Sequence, residues 1–292
     1  MNVRVGDSLV IQVMVVLTAS LIVASPSGSS PGGSVAPARD LSCKALPPIQ
    51  KPLAFPVGET LGYEITYSVV KAGKATFRVL PPFKGKVHLQ ANAKSNSFFN
   101  KIRRMQGEVD SYVDLETLFP SRVVEDADEE AIHHRTEVEF NSKDHVIEVN
   151  ETRNERSGHV AHTYSNEGLD LLSLIYYLRQ LPLQKMQTTG DVCLDVYGFG
   201  RMWHFVGKVT KRQHRSLAVG EFEAWQLSGY AIRWDDRNRQ MELRIWISDD
   251  PQRLPLELHV GMNFKVVQAT LTSFKRPGEK PKKAEGMQHL TW

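Results

Sequence analysis

Apolar and polar residues alternate over most of the chain. Residues 60–69 place Leu61, Tyr63, Ile65, Tyr67 and Val69 at every second position, the pattern of a strand with one face on a core. Residues 71–74 (Lys-Ala-Gly-Lys) read as a turn, and Ala75, Phe77 and Val79 restart the period. Segments 87–93, 109–115, 137–140 and 145–149 repeat the alternation at the spacing of an antiparallel meander. A second set follows at 191–197, 201–209, 222–232, 241–247, 256–260 and 266–271, punctuated by turn residues at 235–238 and 249–252.

Residues 168–183 break this period. Leu171, Leu174, Ile175 and Leu178 fall on one side of a helix, flanked by Leu172, Tyr176 and Arg179, so the apolar arc is broader than a surface helix needs. Asn166 is the expected cap, with Glu167 and Asp170 near the positive end, and Pro182 closes the run. A wide arc requires contact on more than one side. The expected fold is therefore mainly β: a large curved antiparallel sheet or partly closed β-barrel, with one central helix between two strand-rich halves.

Composition divides the chain further. Residues 1–25 carry Arg4 and then an apolar run, the pattern of a secretory signal peptide. Residues 26–54 are rich in Pro, Gly and Ser and read as a disordered leader. Residues 55–274 form the expected β-rich domain, and 275–292 a basic flexible tail. The formal net charge is +3, and all of that surplus sits in the tail, where Lys275, Arg276, Lys280, Lys282 and Lys283 oppose Glu279 and Glu285. Such a tail suits contact with an anionic envelope surface or plain solvation. No basic groove signature points to nucleic acid. Cys43 and Cys193 are the chain's two cysteines; an oxidising compartment would allow them to bridge, and burial of Cys193 as a small apolar residue is the alternative.

Catalytic motifs are absent from the sequence. Ser173 lies in Leu-Leu-Ser-Leu-Ile rather than a nucleophile elbow, no phosphate loop or HExxH occurs, and His204 has no identifiable nucleophile. His133 and His134 beside Asp126, Asp128, Glu129 and Glu130 could be drawn as a metal site. Adjacent strand residues point to opposite faces, however, and the acidic run looks like a solvated turn. No metal, cofactor or catalytic residue is expected. Asp249 and Asp250, near Trp246, Arg253 and His259, could grip a sugar or polar headgroup, or simply form a turn.

The chain resembles a family of exported bacterial proteins defined by a domain of unknown function, DUF3108. The resemblance rests on Phe55-Pro-Val-Gly-Glu-Thr-Leu-Gly-Tyr63, Ala72-Gly-Lys-Ala75, Asp170-Leu-Leu-Ser-Leu-Ile-Tyr-Tyr-Leu-Arg179, Val219-Gly-Glu-Phe-Glu-Ala224 and Ile245-Trp-Ile-Ser-Asp-Asp-Pro-Gln-Arg-Leu-Pro255. Gly62 departs from it, standing where the family tends to carry a larger residue. The resemblance implies a periplasmic or surface β-rich protein with no assigned catalytic residues. The first functional expectation is a non-catalytic envelope protein holding an apolar or amphiphilic ligand inside the curved sheet, with Tyr63, Tyr67, Tyr176, Arg179, Trp225, Trp246, Asp249 and Asp250 as candidate binding residues. The alternatives are a scaffold contacting another envelope protein or the cell wall, and a carbohydrate-active enzyme. Partners would be lipid, glycan or envelope protein. An apolar cavity near the helix would favour the first reading; a filled interior would favour a scaffold.

Overall fold

The computed structural model describes residues 55–165, 168–189, 191–262, 265–277 and 282–283. The expected signal segment and leader, Cys43, and the expected cap Asn166 with Glu167 lie outside the described residues. Eight strands precede the helical segment: β1 (Thr60–Tyr67), β2 (Val70–Phe83), β3 (Lys86–Ser95), β4 (Met105–Val113), β5 (Pro120–Glu129), β6 (Ile132–Asn141), β7 (Val146–Arg153) and β8 (Arg156–Thr163). A short β9 (Gly168–Asp170) leads into α1 (Leu171–Gln180) and α2 (Leu183–Thr189). Then follow β10 (Asp191–Gly198), β11 (Arg201–Leu217), β12 (Gly220–Arg233), β13 (Gln240–Ser248), β14 (Pro255–Met262), β15 (Lys265–Lys275) and β16 (Lys282–Lys283).

Fifteen of these strands form one hydrogen-bonded path, β8-β7-β6-β5-β4-β3-β2-β1-β15-β14-β13-β12-β11-β10-β9, and β16 pairs with β15 beside it. The first and last long strands meet at the middle, where Leu61 of β1 lies opposite Phe274 of β15. The mainly β expectation of one large curved sheet holds.

Several local readings change. The first turn falls at Ser68, with φ 54°, so residues 71–74 belong to β2. Of the acidic run expected to be a turn, Asp126, Asp128 and Glu129 belong to β5 and Glu130 begins the turn, with φ 55°: Ala127 and Glu129 are buried, and the smallness of Ala127 hides the alternation. β8 shows no alternation because nearly all of it is exposed, as an edge strand can be. Residues 168–170 form β9, parallel to β10, rather than the first helical turn. Asp170 replaces the expected cap, and a second short helix, α2, adds to the one foreseen.

Strands β8 and β9 are neighbours in sequence yet lie at opposite ends of the sheet. The few residues between Thr163 and Gly168 reach less than about 20 Å even when extended, so the two ends must come together. They meet by overlap. His162 shares the inner face with its strand partner Ile147, and its ring lies 6.1 Å from that of Tyr197, whose neighbour Val196 faces the interior. The β8 end therefore lies outside β10. The Ser165 N–H donates to Asp195 at 2.8 Å and the Ser111 hydroxyl to Asp170 at 2.8 Å, so side chains close the wall where no ladder does.

Curvature also demands close backbone approach. Gly229 of β12 faces Gly207 of β11, and a Cβ at 229 would lie 2.1 Å from the Val206 carbonyl oxygen. Gly158, on exposed β8, has nothing within 4 Å of such an atom. Gly229→Ala should cost about 1–3 kcal/mol in urea unfolding, as other overpacked sites do. Gly158→Ala should shift stability by less than about 0.5 kcal/mol, and equal losses at the two sites would contradict the close approach.

Candidate functional site

The site is built on α1. Asp170 is extended and accepts the Leu172 and Ser173 N–H groups at 2.8 and 3.3 Å, while its own N–H donates to the Ser173 hydroxyl at 3.0 Å. This reciprocal capping satisfies donors that a helix start leaves unpaired, and it explains Ser173 as structure. Leu181 leaves helical geometry with ψ 143°, as a residue before proline should.

Three faces of α1 have three partners. Tyr177 stacks on Phe119, ring centroids 6.3 Å apart, and Asp170 meets Ser111, so one face is set against the first half of the sheet. A second face carries Tyr176 and Arg179 to Glu59. The Arg179 guanidinium holds Glu59 in a two-pronged pair at 2.7 and 2.9 Å and donates to the Gln252 carbonyl at 3.0 Å. Tyr176 donates its hydroxyl to the same carboxylate at 3.1 Å, with the guanidinium 4.8 Å from its ring centroid. Glu59, Tyr176 and Arg179 are all buried. Burial works against the Arg179 charge, but the hydrogen bonds and charge of Glu59 outweigh it and raise its pKa. Burial and the Glu59 charge raise that of Tyr176, which keeps its proton as a donor.

The third face borders a cavity. Leu171, Leu174, Ile175 and Leu178 look across it toward β1, β2 and β10 to β15. Its volume is about 130 Å³ and its walls are almost wholly aliphatic and aromatic, with Phe77, Trp203, Phe205, Met241, Ile247 and Val260 among them. Glu257 is the one charged residue on the lining. Leu171, Ile175, Phe199, Leu243, Ile245 and Leu258 are only partly buried, so the cavity opens outward along an apolar mouth.

Of the eight expected binding residues, Tyr63 alone lines this cavity; its hydroxyl donates to the Pro255 carbonyl at 2.6 Å. Tyr67, at the end of β1, packs partly buried against the core. Tyr176 and Arg179 belong to the Glu59 cluster. Trp225 is buried away from the cavity lining, while Trp246 alternates with the lining residues Ile245 and Ile247 and lies under Arg215, 4.9 Å from its ring centroid. Asp249 pairs with Arg212 at 2.7 Å, and Asp250 accepts the Gln252 and Arg253 N–H groups at 2.7 and 3.2 Å, the ordinary work of a turn. The partly buried mouth residues escaped sequence reading because each looks like a core residue. Glu59 had a signal in retrospect: a buried Arg on an apolar helix requires an acid. His133 is exposed and His134 buried, on opposite faces of β6, and no metal-binding group of three ligands occurs among the described residues. Cys193 is buried and disulfide-bonded.

Acidic groups of the inner face gather near the helix start. Glu125, on the inner face of β5, has its pKa raised to about 7, by burial first and then by the charges of Asp170 and Glu151. Burial likewise raises that of Asp170 against its hydrogen bonds from Ser173, Ser111 and Leu172.

Two outcomes follow from these clusters. Arg179→Met should lower stability by about 3–5 kcal/mol, because it strands the Glu59 charge. The Glu59→Leu/Arg179→Met double variant should lose less in urea unfolding, and additive losses would refute the pair. For Glu125, the folded state keeps a proton that the unfolded chain releases, so stability falls as pH rises from about 4.5 through about 7. Glu125→Gln should flatten that fall and gain stability above it, read from urea midpoints at stepped pH; an unchanged slope would contradict the assignment.

Among solved structures, the chain is similar to a β-barrel-like protein of the domain of unknown function DUF1849 from Brucella abortus, with TM-score 0.56 and 8% identity over 77% of this chain and 100% of that one. A protein of Bacteroides fragilis NCTC 9343 with a YmcC-like fold, proposed to be exported, matches at TM-score 0.33 and 6% identity over 75% of this chain and 96% of that one. The first likeness shows the β-barrel-like fold and nothing of function. No curated protein matches. The model of the proteins of unknown function DUF3108 matches residues 62–272, which takes in most of β1, β2 to β14, both helices and most of β15; the chain belongs to the DUF3108 family.

Proposed function

We propose that this is a non-catalytic, exported envelope protein that holds a slender apolar chain between α1 and the second half of the sheet. The supporting observation is the cavity: space of about 130 Å³ with almost wholly apolar walls and an apolar mouth. A well-packed interior leaves few voids larger than water, so a gap of this size, open at an apolar mouth beside the only long helix among the described residues, supports an apolar occupant. It is smaller than the roughly 300 Å³ at which drug-sized pockets begin. It is close to the roughly 150 Å³ of an engineered apolar cavity that stays dry and takes benzene. The occupant is therefore a single alkyl or isoprenoid-like chain, with its polar end left at the mouth. Export rests on the signal pattern of residues 1–25.

The test is binding of a fluorescent long-chain fatty acid to delipidated protein. Ala231 is buried on the cavity wall and Ala269 partly buried there. Ala231→Leu and Ala269→Phe should fill the space and weaken binding at least about tenfold, ~1.4 kcal/mol, with the melting temperature held or raised. Failure of the wild-type protein to take up the acid, together with no lipid in its organic extract, would end this reading.

A further inference from the structure

The outer face of the first half of the sheet carries a second, chemically opposite site. Alternation fixes which face this is: Ala75, Phe77, Ala91, Val109 and Val123 are buried in the core, so Thr76, Arg78, Asn92, Glu108, Asp110 and Arg122 point the other way. These residues, with others from β2 to β6, line a groove of about 830 Å³, well within the size range of ligand sites.

The groove's charges nearly cancel. Five cationic and four anionic side chains line it, and they are largely engaged with one another or with neighbours. Arg135 donates to Asp126 at 3.1 Å, Arg122 to Glu137 at 2.8 Å, and Gln106 to Asp128 at 3.1 Å. His88 and Gln90 both bond Asp110, at 2.6 and 3.1 Å. A nucleic acid requires an excess of cations, and an ionic peptide requires one sign of charge; neither is present. What the groove offers is an interspersed array of donors and acceptors. A hydroxyl both donates and accepts, so a ligand bearing many hydroxyls can meet either kind of group.

Two details make this surface a site. Asn92 lies between Thr76 of β2 and Glu108 of β4, and its amide nitrogen is buried with no hydrogen-bond partner. That nitrogen is shielded as the side chain stands, so a ligand acceptor reaches it through a turn of the half-buried Asn92 amide, which would end the cost of about 1–3 kcal/mol that an unmade buried donor carries. At one end of the groove stands Tyr112, stacked on His88 at 4.7 Å and meeting Phe83 at 5.6 Å between ring centroids. Phe83 is 50% exposed. This aromatic group is an apolar platform for the C–H face of a sugar ring, next to polar groups for its rim.

We infer that the groove binds a neutral oligosaccharide. The inference rests on the outer face alone and is independent of the interior cavity. Saturation-transfer NMR on the full chain with chitotetraose, maltotetraose and dextran oligomers as probes, and oligogalacturonate as the anionic comparison, tests it. At least one neutral glycan should receive saturation, with little dependence on salt. Asn92→Ala and Tyr112→Ala should each weaken that binding by about tenfold, whereas the cavity variant Ala231→Leu should leave it unchanged. If Tyr112→Ala fails to fold, Arg122→Gln, on an exposed side chain, takes its place, and slowed amide exchange in β3 and β4 of the wild-type protein gives a second readout. No transfer to any neutral probe would overturn the inference. So would binding that survives every groove substitution, or a preference for oligogalacturonate that salt abolishes.

Discussion

The Glu59–Arg179 pair is the contact on which the interior is assembled. It joins the residue before β1, the last turn of α1 and, through the Gln252 carbonyl, the turn before β14. These segments are more than a hundred residues apart along the chain in part, and no backbone ladder connects the helix to either strand. Removing two charges from water costs several kcal/mol per ion, repaid only by close geometry and full hydrogen bonding. Here both guanidinium prongs are used, the Tyr176 hydroxyl takes a further share of the carboxylate, and the carbonyl of Gln252 takes a guanidinium N–H. Such a pair tolerates few other placements of the helix. It fixes where α1 lies, and so where the apolar face of α1 stops short of the sheet.

That placement divides the interior. On the side of β10 to β15 the helix leaves an apolar gap, bordered by Leu174, Leu178, Phe205 and Ile247. On the side of β4 to β7 it presents its capped start to Ser111 and Glu125. The overlap of β8 outside β10 then brings the two ends of the open sheet together without a ladder, through side chains such as His162 and Tyr197. The same helix is both plug and wall.

How much of this the sequence displays depends on the range of the forces involved. Alternation is local, so most strands were legible, and the broad arc of α1 correctly implied contact on more than one side. β5 and β8 were not legible: one places a small alanine where a large apolar residue would mark the period, and the other lies exposed at an edge. β9 was hidden because three residues cannot show a period. For the candidate site, Arg179 was visible as a charge flanking the apolar arc of the helix and Tyr63 as an aromatic on the core face of its strand. Their partners were not, since Glu59 and Pro255 reach them only through tertiary placement. A cavity is harder still. It is defined by what fails to meet, and Leu171 or Ile245 reads the same whether it packs on a neighbour or borders a gap.

Strand β2 ties the two candidate sites together. Ala75 and Phe77 face the apolar cavity, while Thr76 and Arg78 face the polar groove. A pleated strand separates chemistries by its period of two, so one short segment serves an apolar interior and a polar exterior without compromise to either. The separation has a physical limit. Phe77 is wedged edge-on against Tyr63, 5.1 Å between centroids, and Tyr63 is anchored to Pro255 beside the Glu59–Arg179 cluster. Any displacement of β2 by a chain entering the cavity would therefore act against the Tyr63 anchor. The wall shared by the two sites is thus tied through Tyr63 to segment 252–255, which the Arg179 guanidinium also holds.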